Sequence, residues 1–364
     1  MLAGVYYTNT SGSNNEITGG NINAAGNWAL AGTEMYAKST ITNFNKSIVD
    51  SSTGNENADD AAIGDTVTYQ IDTYMPKYSK AYGDVKGTEY KELQFVITDT
   101  LSAGLTPCEA SDVTVKVDNI EITTGFNVDV TGQVITVDFT EDGIRTNGGK
   151  DIQITYTAVI NEDALVDQNA NMNDARLDFT NDPSGTTDFK RDITYHHTFE
   201  FDVKKVNEKG EIIKDAQGNP LAAEFKLTRT DKVDGEKYVY VEESDENGII
   251  TFTGLDAGTY TLVETKAPTG YQIDTTEREV VISATYDDAT GEIKSYAIKI
   301  ADATVESWTK GATTSTNQLL SIMNTKLIAL PSTGGIGTTI FTVAGCGIMI
   351  AAAFFFFASR KKEN

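Results

Sequence analysis

The feature that most restricts the fold is a two-residue rhythm. From residue 36 onward, apolar and polar side chains alternate in short runs: DTVTYQI at 65–71, VTVKV at 113–117, VITVDF at 134–139 and IQITY at 152–156. Successive side chains of an extended chain point to opposite faces, so each run builds a strip with one buried and one wet face. Thr, Val, Ile and Tyr dominate, as a half-buried pleated surface favours. Clusters such as Asn147-Gly148-Gly149 separate the runs, and these are the residues that turn a chain. With 6 prolines and no long segment of 3.6-residue period, the chain reads as all-β: tandem, antiparallel, immunoglobulin-like β-sandwiches. Residues 162–169 read as one short helix.

The rhythm stops near the C-terminus. Residues 336–358 hold no charged side chain, and Arg360, Lys361 and Lys362 follow. As a helix this run is about 34 Å long, enough to cross a hydrocarbon core of roughly 30 Å. The basic cluster would stay on the cytoplasmic side, so the sandwiches are expected outside the membrane. At the other end, residues 1–6 (MLAGVY) have neither the basic segment nor the apolar run of an export signal. Residues 8–20 are mostly Thr, Ser, Asn and Gly. Residues 1–35 therefore read as the remnant of an N-terminal domain or linker.

Composition removes several classes of function. The net charge of −24 argues against nucleic acid, which needs clustered Lys and Arg. It suits a soluble, self-repelling surface outside the cell. Of the 2 cysteines, Cys346 lies in the apolar tail and Cys108 stands alone, so an internal disulfide is not expected. Exported domains without disulfides need stability from elsewhere, or from other cross-links. No GxSxG or phosphate loop occurs. His196 and His197 are neighbours that would face opposite ways along a strand, with no third ligand at hand. The reading is therefore of a non-enzyme with no cofactor and no metal. The loop DENG at 245–248 reads as a β-turn.

Domain limits follow from turns. The DPSG turn at 182–185 and the YHHT segment at 195–198 divide a domain over 36–195 from one over 196–329, with the tail at 330–364. Inside that tail, Leu330-Pro331-Ser332-Thr333-Gly334 precedes the apolar run and the basic end. This order resembles the LPXTG cell-wall sorting signal of Gram-positive bacteria. The second domain opens with FEFDVKKVN at 199–207 and carries YTLVETKAPTGY at 260–271. These resemble the collagen-adhesin B-type domain and its E-box. In the first domain, residues 63–69, 96–101 and 177–183 resemble the isopeptide-forming middle domain of backbone pilins. The resemblance therefore covers about residues 36–362 and is to the major subunits of sortase-assembled pili.

The resemblance implies three amine-to-acyl joins. Lys205, on the first strand of the second domain, would form an isopeptide bond with Asn324 on the last strand, assisted by Glu264 of the E-box. Lys204 is the rival, and alternation lets only one of the two point inward. In the first domain the corresponding trio would be Lys46, Asp99 and Asn181, with Asn173 and Asp182 as alternatives. The chemistry asks for such trios. Burial drives the lysine towards the neutral amine that can attack. A carboxyl in the same core can polarise the Asn carbonyl and carry protons to the departing ammonia. The third join is between subunits. A sortase would read Leu330 and Pro331, attack the carbonyl of Thr333 and release Gly334 onward. Thr333 would pass to a lysine of the next subunit: Lys38 in YAKS at 36–39, or less fittingly Lys77 in MPKY at 75–78. Implied partners are a pilus-type sortase, a housekeeping sortase, other pilin subunits, peptidoglycan and host surface ligands. The alternative is a wall-anchored adhesin that is never polymerised.

Overall fold

The computed structural model describes residues 21–22, 28–29, 42–78, 93–181, 185–232, 238–327 and 336–360. Lys38, Asp182 and the pentapeptide 330–334 lie outside the described residues. In chain order the strands are β1 (Asn21–Ile22), β2 (Trp28–Ala29), β3 (Phe44–Val49), β4 (Ala58–Asp60), β5 (Thr66–Tyr74), β6 (Phe95–Leu101), β7 (Leu105–Pro107) and β8 (Thr114–Val117). Then come β9 (Ile120–Ile122), β10 (Phe126–Thr131), β11 (Val134–Phe139), the helix α1 (Glu141–Asn147), β12 (Asp151–Ile160), β13 (Asn171–Thr180) and β14 (Thr187–His197). The rest are β15 (Phe199–Val206), β16 (Glu224–Arg229), β17 (Val239–Glu243), β18 (Ile249–Leu255), β19 (Gly258–Lys266), β20 (Arg278–Tyr286), β21 (Ile293–Ile300), β22 (Ala303–Thr309), β23 (Thr316–Asn317), β24 (Leu320–Met323) and the helix α2 (Ile336–Arg360).

Two compact units form. The first takes the chain up to Phe199 with Gly254–Ala257 and Ala284–Tyr296; the second takes Glu200–Thr253, Gly258–Ser283 and the chain from Ala297. In the first unit one sheet runs β10-β11-β6-β13-β14-β4 and the other runs β3-β5-β12-β8-β9, with β7 also paired to β12. The expected alternation builds the core between them. Val67, Tyr69, Ile71 and Thr73 of β5 point inward, as do Ile152, Ile154, Tyr156 and Ala158 of β12. Phe95 and Phe139 meet edge to face, with ring centroids 5.6 Å apart. Fully burying a side chain of this size contributes about 1.5–3 kcal/mol, which is why one slip of register would be so costly.

In the second unit the sheets are β18-β15-β24 and β17-β16-β19-β20-β21-β22-β23. Strands β15 and β24, early and late in the domain, lie side by side and parallel, with Lys205 opposite Ile322. Phe201 of β15 stacks on Phe252 of β18.

Residues 162–169 form turns, not a helix. The Asn161 side chain accepts the Asp163 N–H at 2.8 Å, and Asp167 takes a positive φ of 62°, which no right-handed helix allows. The helix forms instead at α1, where Thr140 caps the N-terminus by accepting the Gly143 N–H. The tail is helical as α2, over the run where a membrane crossing is expected. Among the described residues no helix is long and apolar enough to cross a membrane.

Candidate functional site: two buried lysine–acid–asparagine groups

The inward face of β15 carries Phe201, Val203 and then Lys205, which is only 1% exposed. Lys204 is half-buried on the other face, so alternation selects Lys205. Its backbone is held on both sides. Lys205 N–H donates to Gly248 O at 2.7 Å, and Asn324 N–H donates to Val206 O at 3.0 Å. Gly248 has a φ of +74°, and a Cβ there would lie 2.8 Å from Lys205 O, so a glycine is needed for this approach. The turn at 245–248 forms as expected, with the Asp245 carboxylate accepting the N–H groups of Asn247 and Ile249.

Lys205 Nζ lies 3.1 Å from Glu264 Oε1. Asn324 Nδ2 donates to the same carboxylate, at 2.9 Å to Oε1 and 3.1 Å to Oε2. Glu264 reaches them from β19 in the opposite sheet. Its Oε2 also accepts the backbone N–H of Asp274 at 2.6 Å, and Asp274 is paired with Arg278. All three central side chains are at most 2% exposed. Burial lowers the Lys205 pKa against the opposing pull of Glu264. Asn324 Oδ1 is buried with no hydrogen-bond partner among the described residues.

The first unit builds a related group with another layout. Lys46, fully buried on β3, pairs with Asp99 Oδ1. Its ammonium lies over the rings of Tyr69 and Tyr156, 5.1 and 5.7 Å from their centroids. Desolvation outweighs Asp99 and lowers the Lys46 pKa to about 8. The Tyr156 hydroxyl donates to Asp99 Oδ2, and Asn173 Nδ2 donates to the Tyr156 oxygen at 3.1 Å. Asn173 is fully buried, and its Oδ1 has no partner.

Asn181, the expected partner of Lys46, is not part of this group. Register gives the reason. Asp99 stands opposite Ala175, so Asn173 is two residues along the same inward face. Asn181 is six residues the other way, roughly 20 Å at the rise of a strand. There it is half-buried, and its N–H donates to Thr186 O at 2.7 Å, closing the hairpin. Asn173, one of the two alternatives, reaches the group through the Tyr156 hydroxyl. Tyr156 and Tyr69 were not foreseen as site residues. Both are tyrosines at inward positions of alternating runs, the one signal that could have marked them.

Lys77 is exposed on the loop after β5. His196 and His197 are buried. His196 Nδ1 meets the Tyr69 hydroxyl, and His197 Nδ1 meets Asp167 O, each at 3.0 Å. Burial lowers their pKa values to about 3 and about 4, so both rings are neutral at pH 7.

Residues 63–183 match the family described as Gram-positive pilin backbone subunit 2, Cna-B-like domain. Residues 200–297 match the SpaA prealbumin-like fold domain, and residues 322–364 match the LPXTG cell wall anchor motif. The chain carries a backbone-subunit domain and the wall-anchor motif of Gram-positive pilins. Over its whole length the pilin is 24% identical to the trypsin-resistant surface T6 protein of Streptococcus pyogenes, covering 75% of that protein. Its fold resembles the solved T6 backbone pilin of S. pyogenes, with a TM-score of 0.55 at 18% identity, over 79% of this chain and 71% of that one. It also resembles the full-length major pilin RrgB of Streptococcus pneumoniae, with a TM-score of 0.52 at 16% identity, over 81% and 75% of the two chains. The backbone pilin domains make this pilin a pilus backbone subunit, and its anchor motif assigns it to the cell surface in covalent attachment to the wall.

Proposed function

We propose that this backbone subunit is closed by two self-formed isopeptide bonds and joined to its neighbours by a third amide. The internal bonds are Lys205–Asn324, assisted by Glu264, and Lys46–Asn173, assisted by Asp99. The intersubunit amide runs from Thr333, released from Gly334 by a pilus-type sortase, to Lys38 of the next subunit. A housekeeping sortase passes the last subunit to peptidoglycan. Until cleavage, the apolar run 336–358 holds the precursor in the membrane. The protein is a substrate of enzymes rather than an enzyme, apart from the chemistry it performs on itself.

The observation that carries the reading is the Lys205–Glu264–Asn324 group. A lysine almost without water touches a carboxylate that also holds the carboxamide nitrogen. In each bond the neutral amine attacks the Asn carbonyl carbon, a C–N bond forms, and the Asn nitrogen leaves as ammonia. The acid takes the surplus proton from the attacking nitrogen and supplies one to the leaving nitrogen.

Intact mass of the full chain, with peptide mapping, tests this. The expected deficit is two ammonia molecules, and Lys46→Ala and Lys205→Ala should each restore one. A chain of unmodified mass sinks the internal bonds. Separately, Lys38→Ala should abolish the high-mass ladder that polymers give on denaturing gels. A single band from the unaltered pilin would favour an unpolymerised, wall-anchored adhesin.

A further inference from the structure

The two groups differ at one point that the lysine, acid and asparagine do not explain. In the second unit the carboxylate of Glu264 touches Asn324 directly. In the first, a tyrosine hydroxyl stands between acid and asparagine: Asn173 Nδ2 to Tyr156 oxygen, then Tyr156 hydroxyl to Asp99 Oδ2. Tyr156 comes from β12, in the sheet of Lys46, whereas Asp99 and Asn173 come from β6 and β13 opposite. Its ring is buried and stacks on Tyr69 at 5.4 Å, which fixes where the hydroxyl points.

We propose that Tyr156 is a catalytic residue of the first unit, relaying the proton from Asp99 to the nitrogen that leaves Asn173. This rests on the Lys46–Asn173 bond proposed above. The neutral Lys46 amine attacks Cγ of Asn173, and the Nζ–Cγ bond forms. In the ground state the amide nitrogen can only donate, and it donates to the Tyr156 oxygen. Once Cγ becomes tetrahedral, that nitrogen gains a lone pair and can accept along the same line. Lys46 Nζ gives one proton to Asp99. Tyr156 gives its phenolic proton to Nδ2 and is reprotonated from Asp99. The Cγ–Nδ2 bond breaks and ammonia departs. Of the two protons on the neutral lysine amine, one stays on the new amide and one leaves with ammonia. Asp99 ends as carboxylate and Tyr156 as phenol. Burial raises the Tyr156 pKa well above its ordinary value, so the hydroxyl holds its proton until the basic leaving nitrogen appears.

The test follows bond formation in time. Full-length protein is recovered unfolded and unreacted, refolded, and quenched for intact mass and peptide mapping. Tyr156→Phe keeps the ring and removes only the hydroxyl. The expected result is a Lys46–Asn173 bond that forms about 100-fold more slowly, within the usual range for loss of a proton-transfer group. The Lys205–Asn324 bond should form at its normal rate in the same molecules. If the first bond closes at the unaltered rate in Tyr156→Phe, the relay is wrong while the bond stands. If the unaltered protein never forms that bond, the underlying reading fails and the relay falls with it. Should Tyr156→Phe not fold, as judged by circular dichroism, difluorotyrosine at position 156 decides. It keeps the ring and hydroxyl and makes the phenol more acidic, so the bond should form a few-fold faster. An unchanged rate would rule the relay out.

Discussion

The two buried groups place similar chemistry in different parts of a sandwich. In the second unit Lys205 lies on β15 and Asn324 directly follows its parallel neighbour β24, and the acid arrives from the sheet opposite. In the first unit Lys46 lies in one sheet while Asp99 and Asn173 lie in the other, so a bond there would cross the core. The acids are also steadied differently. The far oxygen of Glu264 accepts a backbone N–H from Asp274, whereas that of Asp99 accepts the Tyr156 hydroxyl. Around Lys205 the aromatic neighbour is Phe225, 5.4 Å from Nζ to centroid, where Lys46 has two tyrosines. The amine, acid and amide are kept, and the supporting groups are free to change.

The largest expected effect is on resistance to unfolding. A bond from Lys205 to Asn324, or from Lys46 to Asn173, closes a loop of roughly 120 residues, which by the chain-entropy account stabilises by about 5 kcal/mol. Lys205→Ala should therefore lower the melting temperature of the second unit by about 15 °C, read by calorimetry. Lys46→Ala should do the same to the first unit, and each should leave the other transition in place. Pulling sharpens the contrast. Held by its ends, the second unit of Lys205→Ala should release about 40 nm of chain, the extended length of that loop, and the bonded unit should not. Equal extension with and without the bond would show that force does not run through β15 and β24.

Next in size are the acids. Asp99→Asn should leave the Lys46–Asn173 bond unformed and the Lys205–Asn324 bond intact, and Glu264→Gln should do the reverse. Once the change in mass from the substitution itself is subtracted, the mass of one ammonia separates each variant from the parent. A variant that kept both bonds would show that the acid is packing rather than chemistry.

These expectations show how much of the site could be read from the chain. Lys205, Glu264 and Asn324 were legible because each sits in a segment that resembles its family counterpart; alternation allowed only one of Lys204 and Lys205 to point inward, and the structure buries Lys205. Asn173 was harder. Asn173 and Asn181 share parity with Leu177 and Phe179, so the inward face is the same for both. Only the pairing of β13 with β6, Ala175 opposite Asp99, tells them apart, and register is a property of two strands. Tyr156 was hidden for a related reason, since its role depends on which residues the facing sheet presents. The helix α1 was missed because seven residues carry too little periodicity, although Thr140 before Glu141 and Asp142 is a recognisable start signal.

A smaller effect concerns pH. Burial holds the Lys46 pKa at about 8, below its ordinary value, so the neutral amine fraction rises as pH climbs through about 8. Below that value, the rate of Lys46–Asn173 formation on refolding should fall about tenfold per pH unit, and above it the rate should level off. The Lys205 pKa is lowered too, so its bond should follow a curve of the same sense. A rate for Lys46 independent of pH between about 6 and about 8 would mean that deprotonation does not limit the reaction.

The smallest effect is the most specific to one side of the comparison. Where the Tyr156 hydroxyl holds Asp99, the Asp274 N–H holds Glu264 at 2.6 Å. Asp274 belongs to the segment after Pro268, and its carboxylate is paired with Arg278 at the start of β20. Both partners are about one-fifth exposed, so the pair itself adds little to stability, on the order of 1 kcal/mol or less. Its value lies in fixing the loop, and through it the carboxylate that faces Lys205 and Asn324. Arg278→Ala should therefore slow Lys205–Asn324 formation a few-fold while barely moving the melting temperature, and Arg278→Lys should recover part of the rate. In the first unit the Tyr156 hydroxyl occupies the second oxygen of Asp99 and Arg278 is not part of that group, so its bond should form at an unaltered rate. Equal slowing of both bonds would point to general loosening of the fold and would break the comparison at its weakest link.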